Sequence, residues 1–391
     1  MRKRNFILGL LIIVGVLSYV GVASYYSLFP FKKTDTVPVE PFINFKQEGN
    51  IFELKYYPSP DIQIFDVSIS RDGADILFGT DTKKVTLIDN EGNLKWERVF
   101  ESDPLQTKIS ACGHYLGIGT SSGTLIFLKE NQEVIQERKF ENPITHLALS
   151  SSGEWLVSGS RDEDNSGMLA CYNHLTGQEW TMETGMILHL TASSDDQKIF
   201  YTEKAGDTCS TVVLDPQGEE LWRIESSELR ALSPSGNFFM VQDGAGNIVA
   251  YNHLLEEMWR KEWGPNPAEI FINFPGDRML IFDKQSDRKS NLYCFNTQGK
   301  LLWENFIDAN ALITFSSDGR YLIYSAGVLE NKINQPKEGF SKIVLMNEKG
   351  DTDREIELPV KVEKIIASPY NDIFVIGNDS SVYQINLLGR D

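Results

Sequence analysis

A four-residue turn recurs along this chain at intervals of about 40 residues, and no other feature constrains the fold as much. One unit reads Asp66-Val-Ser-Ile-Ser-Arg-Asp-Gly73, then Asp75-Ile-Leu-Phe-Gly-Thr80, Val85-Thr-Leu-Ile-Asp89 and Glu91-Gly-Asn-Leu-Lys-Trp96. Each run is short, rich in β-branched or aromatic residues and bounded by Gly, Asp, Asn or Ser, the pattern of strands joined by tight turns. A module of four such strands has two apolar faces and no means of burying both alone. Copies of it must therefore stack.

The turn Ser70-Arg-Asp-Gly73 returns as Ser110-Ala-Cys-Gly113, Ser150-Ser-Ser-Gly153, Ser193-Ser-Asp-Asp196, Ser233-Pro-Ser-Gly236, Asn273-Phe-Pro-Gly276, Ser316-Ser-Asp-Gly319 and, more loosely, Ser368-Pro-Tyr-Asn371. The predicted fold is all-β: an eight-bladed β-propeller over residues 45–391, with seven blades as the alternative because the second and eighth copies are degenerate. A second signature closes the repeat, as Gly92…Trp96, Gly177…Trp180, Gly218…Trp222 and Gly299…Trp303, with Trp259 in place but lacking its glycine. The glycine is expected to turn the hairpin and the tryptophan to cover the outer strand.

The chain ends suggest how a ring closes. The eighth copy stops near Leu388-Gly389, where its fourth strand should begin, and Glu48-Gly-Asn50 repeats Glu91-Gly-Asn93 ahead of the strand-like Ile51–Tyr57. Residues 48–57 are therefore expected to pair with the C-terminal blade, removing exposed sheet edges.

The Gly…Trp ending resembles the repeats of quinoprotein-like (PQQ-like) propellers, and the Ser-x-Asp-Gly turn resembles that of WD40 propellers. The resemblance covers residues 48–391 and implies a fold, because propellers host many activities. True quinoprotein dehydrogenases resemble one another in adjacent cysteines, calcium-binding acids and longer loops; this chain has no adjacent cysteines, and its repeats are compact. An anchored PQQ-like propeller is also similar to the outer-membrane assembly factors that dock partner proteins, so the resemblance implies a protein-binding scaffold.

Upstream of the repeats, Arg2-Lys3-Arg4 precedes an uncharged apolar run from Phe6 to Phe29. At about 1.5 Å per residue that run exceeds the roughly 30 Å hydrocarbon core. The reading is a basic cytoplasmic tail (1–5), a transmembrane signal anchor (6–29) and a Pro-containing tether (30–44), with the propeller outside the cytoplasm. The alternative is a secreted protein cleaved near Ala23, where Gly21-Val22-Ala23 has the small residues of a cleavage site. The net charge is −18; without the five basic residues up to Lys33, 32 basic side chains face 55 acidic ones, a balance of −23. Such a surface repels phosphate backbones and excludes nucleic acid as a partner. The cysteines Cys112, Cys171, Cys209 and Cys294 show no metal-ligand spacing; they read as mostly free, buried thiols, with one disulfide, not assignable from sequence, as the alternative outside the cytoplasm.

Candidate chemistry lies on the first strand of each repeat, which should line the channel. Its side chains alternate between an apolar face (Val67, Ile69, Leu147, Leu149) and a small or polar one (Asp66, Ser68, Gln106, Lys108). Alignment on the turn puts Asp66, Gln106, His146, His189, Leu229, Glu269, Leu312 and Lys364 in one column. The ionisable and polar members, Asp66, Gln106, His146, His189, Glu269 and Lys364, form a candidate ring at one channel mouth, suited to a ligand or a peptide tip. A metal shared by His146 and His189 with Asp66 or Glu269 would need three or four convergent ligands. The loop Asp162-Glu-Asp-Asn-Ser-Gly167 has the alternating start of a calcium turn in Asp162, Asp164 and Ser166, but Asn173 stands where an EF-hand needs glutamate.

No nucleophile elbow, Walker loop or His-Glu-x-x-His motif is present. The expectation is a non-catalytic scaffold without a cofactor, binding protein partners at the membrane surface. The alternatives are an extracytoplasmic enzyme (a quinone-cofactor oxidoreductase or a carbohydrate-active lyase or hydrolase) and a small-ligand sensor.

Overall fold

The computed structural model describes residues 46–47, 50–56 and 62–386, apart from residues 163, 165, 234–235, 265–268, 274–275, 284–288, 317–318, 331–334, 368–371 and 379–381. All belong to one compact unit, residues 43–391. The basic tail, the apolar run 6–29 and the tether 30–44 lie outside the described residues. Among the described residues no helix is long and apolar enough to cross a membrane.

The architecture is a β-propeller of antiparallel four-stranded groups. The first group orders Ile64–Ile69, Asp75–Thr80, Lys84–Asp89 and Leu94–Val99 from inside to outside. Later groups repeat that order. Two of them share one 14-residue strand, Glu179–Ala192, which pairs with Ser166–Asn173 up to Gly185 and with Ile199–Ala205 from Met186 onward. The last group is built from both chain ends. Val362–Ala367, Asp372–Gly377 and Val382–Asn386 are joined by Asn50–Tyr56, with Phe52 opposite Ile385 and Leu54 opposite Tyr383.

The repeated turn explains why the inner hairpins form. The hydroxyl of Ser70 accepts the Asp75 N–H at 3.0 Å, and the same bond recurs at Ser110–Tyr115, Ser150–Trp155, Ser193–Lys198, Ser233–Phe238 and Ser316–Tyr321. Asn273 does the same with its side-chain oxygen to Arg278. The fourth turn residue has positive φ, from 59° at Asp196 to 80° at Gly153, a region glycine enters without steric cost. Asp196 replaces that glycine, and its carboxylate accepts the N–H groups of Ser151 and Ser152 in the preceding turn. Neighbouring turns are also sewn backbone to backbone, Arg71 N–H to Ala111 O and Ala111 N–H to Ser151 O.

Alternation along each strand sends apolar side chains into the gaps between groups. Val67, Phe78 and Ile88 pack against Phe374, Ile376 and Val382, so the first group buries a face against the last. Leu77 and Leu87 meet Leu116 and Ile126 in the next gap, and Phe127 meets Leu147 and Leu156 in the one after. The remaining clusters continue the series until Ile343 and Leu345 meet Ile373 and Val375. Removing such surface from water contributes about 25 cal/mol per Å².

The outer tryptophans join groups instead of merely covering their own strand. Trp96 donates its indole N–H to Glu130 O at 2.8 Å, Trp180 to Pro216 O, Trp259 to Thr297 O and Trp303 to Glu348 O, each acceptor lying in the outer turn of the following group. The glycine of that turn lets the ring lie against it: a Cβ on Gly218 or Gly299 would stand 2.9 Å from Trp180 or Trp259. Gly218, Gly299 and Gly350 thus each serve the tryptophan of the preceding group. Gly177 has open space around it, because Gln136 fills the tryptophan position ahead of it.

Candidate functional site

The two ends of the propeller axis differ. At one end the first four of the repeated turns, from Ser70 to Asp196, are hydrogen-bonded one to the next, as above. At the other end lie the starts of the inner strands and the hairpins linking each second strand to its third, because Ile64 stands opposite Thr80 and Lys84 opposite Val99. This second end carries the irregular loops. They are the acidic loop after Arg161 and the long hairpin of Leu322–Glu330 with Gln335–Met346, whose pairing runs on to Glu330 opposite Gln335.

The sequence-predicted ring residues lie near this end, placed by β-bulges. The inner strands have an extra residue between Ile64 and Asp66, Pro104 and Gln106, Ile144 and His146, Ile187 and His189, and Val362 and Lys364. A bulge re-aims the following side chain and frees backbone groups from the ladder. In the strand Ser227–Leu232 the bulge shifts to Leu229/Ala231, and Leu229 is buried in the gap between groups. Leu312 also packs into a gap, and Glu269 stands exposed at the start of a strand without a bulge. The column is therefore an arc and not an even ring.

Two charged clusters make up the arc. Asp66 is nearly buried, and its carboxylate accepts the Lys364 ammonium at 3.0 Å on one oxygen and the Lys108 ammonium (3.2 Å) and the Thr107 N–H (2.9 Å) on the other. Burial alone would raise its pKa; the charges of Lys108 and Lys364 and the Thr107 N–H outweigh it, and the carboxyl titrates below its ordinary range. At the second cluster His189 Nε2 lies 3.2 Å from a Glu228 oxygen whose partner oxygen accepts from Arg230 at 2.9 Å. Burial would raise the Glu228 pKa, but His189 and Arg230 hold it down.

His146 sits between the clusters. Its Nε2 lies 3.1 Å from the carbonyl of Leu188, the extra residue of the neighbouring bulge, and its Nδ1 3.0 Å from the Thr145 hydroxyl. A carbonyl only accepts, so Nε2 carries the proton and Nδ1 accepts from Thr145. Burial lowers the His146 pKa; the Leu188 carbonyl opposes this, and the neighbouring His189 and Lys108 add to it. The imidazole is neutral at pH 7.

The structure thus brings Asp66 and Lys364 into contact and sets His146 beside the backbone next to His189; Gln106 is half-buried on the strand between. Lys108, Glu228 and Arg230 complete the arc although the column omits them. The signal for Lys108 is its i+2 spacing from Gln106, which puts both on one strand face; Glu228 and Arg230 depend on the displaced bulge, which spacing does not reveal. In the acidic loop, Asp162 accepts both the backbone N–H (2.9 Å) and the hydroxyl of Ser166, and these bonds hold its carboxyl below its usual pKa. Among the described residues no group of three His, Cys, Asp or Glu side chains is placed to hold a metal ion. All four cysteines are free thiols, and burial pushes Cys171 and Cys294 up to about 12.

Comparison with known proteins agrees with this geometry. Residues 165–311, less than half of the chain, match a PQQ-repeat family model described as outer membrane protein assembly factor BamB. Solved propellers superpose on most of the chain. The chain folds as a β-propeller, and its central part is similar to PQQ repeats. The Saccharomyces cerevisiae protein Sqt1 is 11% identical with a TM-score of 0.60, covering 85% of this chain and 98% of its own. The computationally designed Ika8 protein is 15% identical at 0.61, covering 85% and 99%. The β-propeller domain of Myceliophteria thermophila Cps50 (Swd1) is 13% identical at 0.51, covering 89% and 100%. At these identities the likeness is one of fold. No curated protein matches the sequence significantly.

Proposed function

We propose that the chain is an eight-bladed propeller tethered outside the cytoplasmic membrane by residues 6–29, and that it is a non-catalytic scaffold recognising proteins with the end that carries the charged arc. The observation carrying this reading is the asymmetry of the axis: at one end hydrogen bonds run between the first four turns, and the other end gathers the longest hairpin, the acidic loop and the charged arc. Loops held on a rigid frame are where recognition concentrates. Eight apolar clusters linking the groups in one cycle support the blade count. The partial match to an assembly-factor model supports protein recognition over catalysis. A tether would raise the effective concentration of the ring for neighbours in the membrane.

Site-specific photocrosslinking in intact cells tests the reading. A photoreactive side chain at Thr82, Ser122 or Ala245, in hairpins of the charged end, is expected to capture a protein; the same group at Glu91, Asn131 or Gln217, at the opposite end, is not. Capture only from the second set, or from neither, contradicts it. Saturable uptake of a quinone cofactor by the purified chain, followed by absorbance, would overturn the non-catalytic part.

A further inference from the structure

The cluster around Asp66 holds more positive charge than it neutralises. One carboxylate faces two ammonium groups and already accepts three hydrogen bonds, one on Oδ1 and two on Oδ2. Each ammonium has three donors. Lys364 spends one on Asp66, and Lys108 spends two, on Asp66 and the Thr107 carbonyl. Both ammonium-bearing side chains are at least one-third exposed, while the Asp66 side chain between them is only 13% exposed. The next side chain along the arc, His146, offers no negative charge, and Glu228 beyond it is committed to His189 and Arg230. A local excess of one positive charge therefore persists around Asp66, in a protein whose net charge is −18.

We propose that this cluster binds one carboxylate of an inserted peptide segment, bridging the spare donors of Lys364 and Lys108. The charge excess matches a single carboxylate, and charge-assisted bonds from two ammonium groups are the strong kind. The acidic exterior disfavours a strongly anionic ligand, which selects a segment with one acid at its tip over a polyanion. The inference rests on the recognition reading above and names what that end recognises.

The chain has five histidines, of which only His146 and His189 lie on the arc, so their ring C2–H signals report binding there. Three capped probes are titrated into the full chain to about 50 mM, the range a single charged contact requires: acetyl-Gly-Asp-Gly-amide, acetyl-Gly-Asn-Gly-amide and acetyl-Gly-Gly-Gly carboxylate. The expected result is a saturable shift of the His146 and His189 signals, with His114 and His253 still, from the aspartyl probe or from the C-terminal carboxylate, whichever source the site takes. The asparagine probe produces none. Lys364→Gln, which keeps the Asp66–Lys108 pair, weakens binding at least tenfold, and Asp66→Asn, which raises the excess charge, strengthens it several-fold. The proposal is overturned if the asparagine probe acts equally, if Lys364→Gln changes nothing, or if no saturable shift occurs. Crosslinks from Thr82 or Ser122 alongside such a negative titration would leave the recognition reading standing and remove only the carboxylate.

Discussion

Asp66 and Lys364 are 298 positions apart, and their contact joins the first blade to the last. A nearly buried carboxylate with two cationic partners is held by charge and geometry together. Its replacement by alanine, which leaves two ammonium groups without their acceptor, is expected to cost about 3 kcal/mol in denaturant unfolding. The folded pKa of Asp66 lies below its ordinary value, so its contribution is complete above that value and fades as the pH falls through the folded pKa. Asp66→Asn should remove this part of the acid sensitivity. His146 follows the same sign: its folded pKa is lowered, so neutral pH favours the fold and acidification below the usual imidazole range erodes it. Its C2–H titration midpoint should fall below that of an exposed histidine, and a midpoint above it would contradict the buried, neutral ring. Thiols give a simpler test. Cys171 and Cys294, held protonated by burial, should resist a thiol reagent at pH 8 in the native protein, while exposed Cys112 reacts at once. Charge on the arc was legible in the sequence where spacing decided it, as at Asp66, His146 and Lys364. The shifted bulge that turns Leu229 into the core and presents Arg230 was not, because a bulge is settled by packing against the partner strand.

At the scale of elements the repeat was readable because each of its residues has a local cause. Serine caps the hairpin, glycine supplies the positive φ, and apolar alternation fills the gaps between blades. What spacing did not show was the partner of Trp96, Trp180, Trp259 and Trp303, since nothing local says that the indole N–H crosses to the next blade. Two alanine substitutions separate the effects. Gly177→Ala meets open space and carries only the cost of positive φ, about 1 kcal/mol. Gly299→Ala carries that cost and also collides with Trp259, and is expected to lose roughly 2–4 kcal/mol. Trp259→Phe keeps most of the packing but forfeits the bond to Thr297, about 1 kcal/mol in thermal or denaturant unfolding. Equal losses for the two glycine variants would mean that the tryptophan does not bind its neighbour as described.

On the scale of the molecule, each blade is too thin to be stable alone, and the ring gains its cooperativity from gaps that are all filled. The gap between the last blade and the first differs from the others because no short connection holds it. It depends on Asn50–Tyr56 pairing with Val382–Asn386, on the apolar contacts of Val67 and Phe78 with Phe374 and Ile376, and on the Asp66–Lys364 ion pair. The asymmetric axis and the recognition face both presuppose that closure. Cysteines placed at Leu54 and Tyr383, which stand opposite each other in the register, test it directly. Mild oxidation should join them within one chain, giving a species of altered mobility on a non-reducing gel and a raised melting temperature. Failure to form that link, or links only between separate chains, would contradict a ring closed by its own two ends.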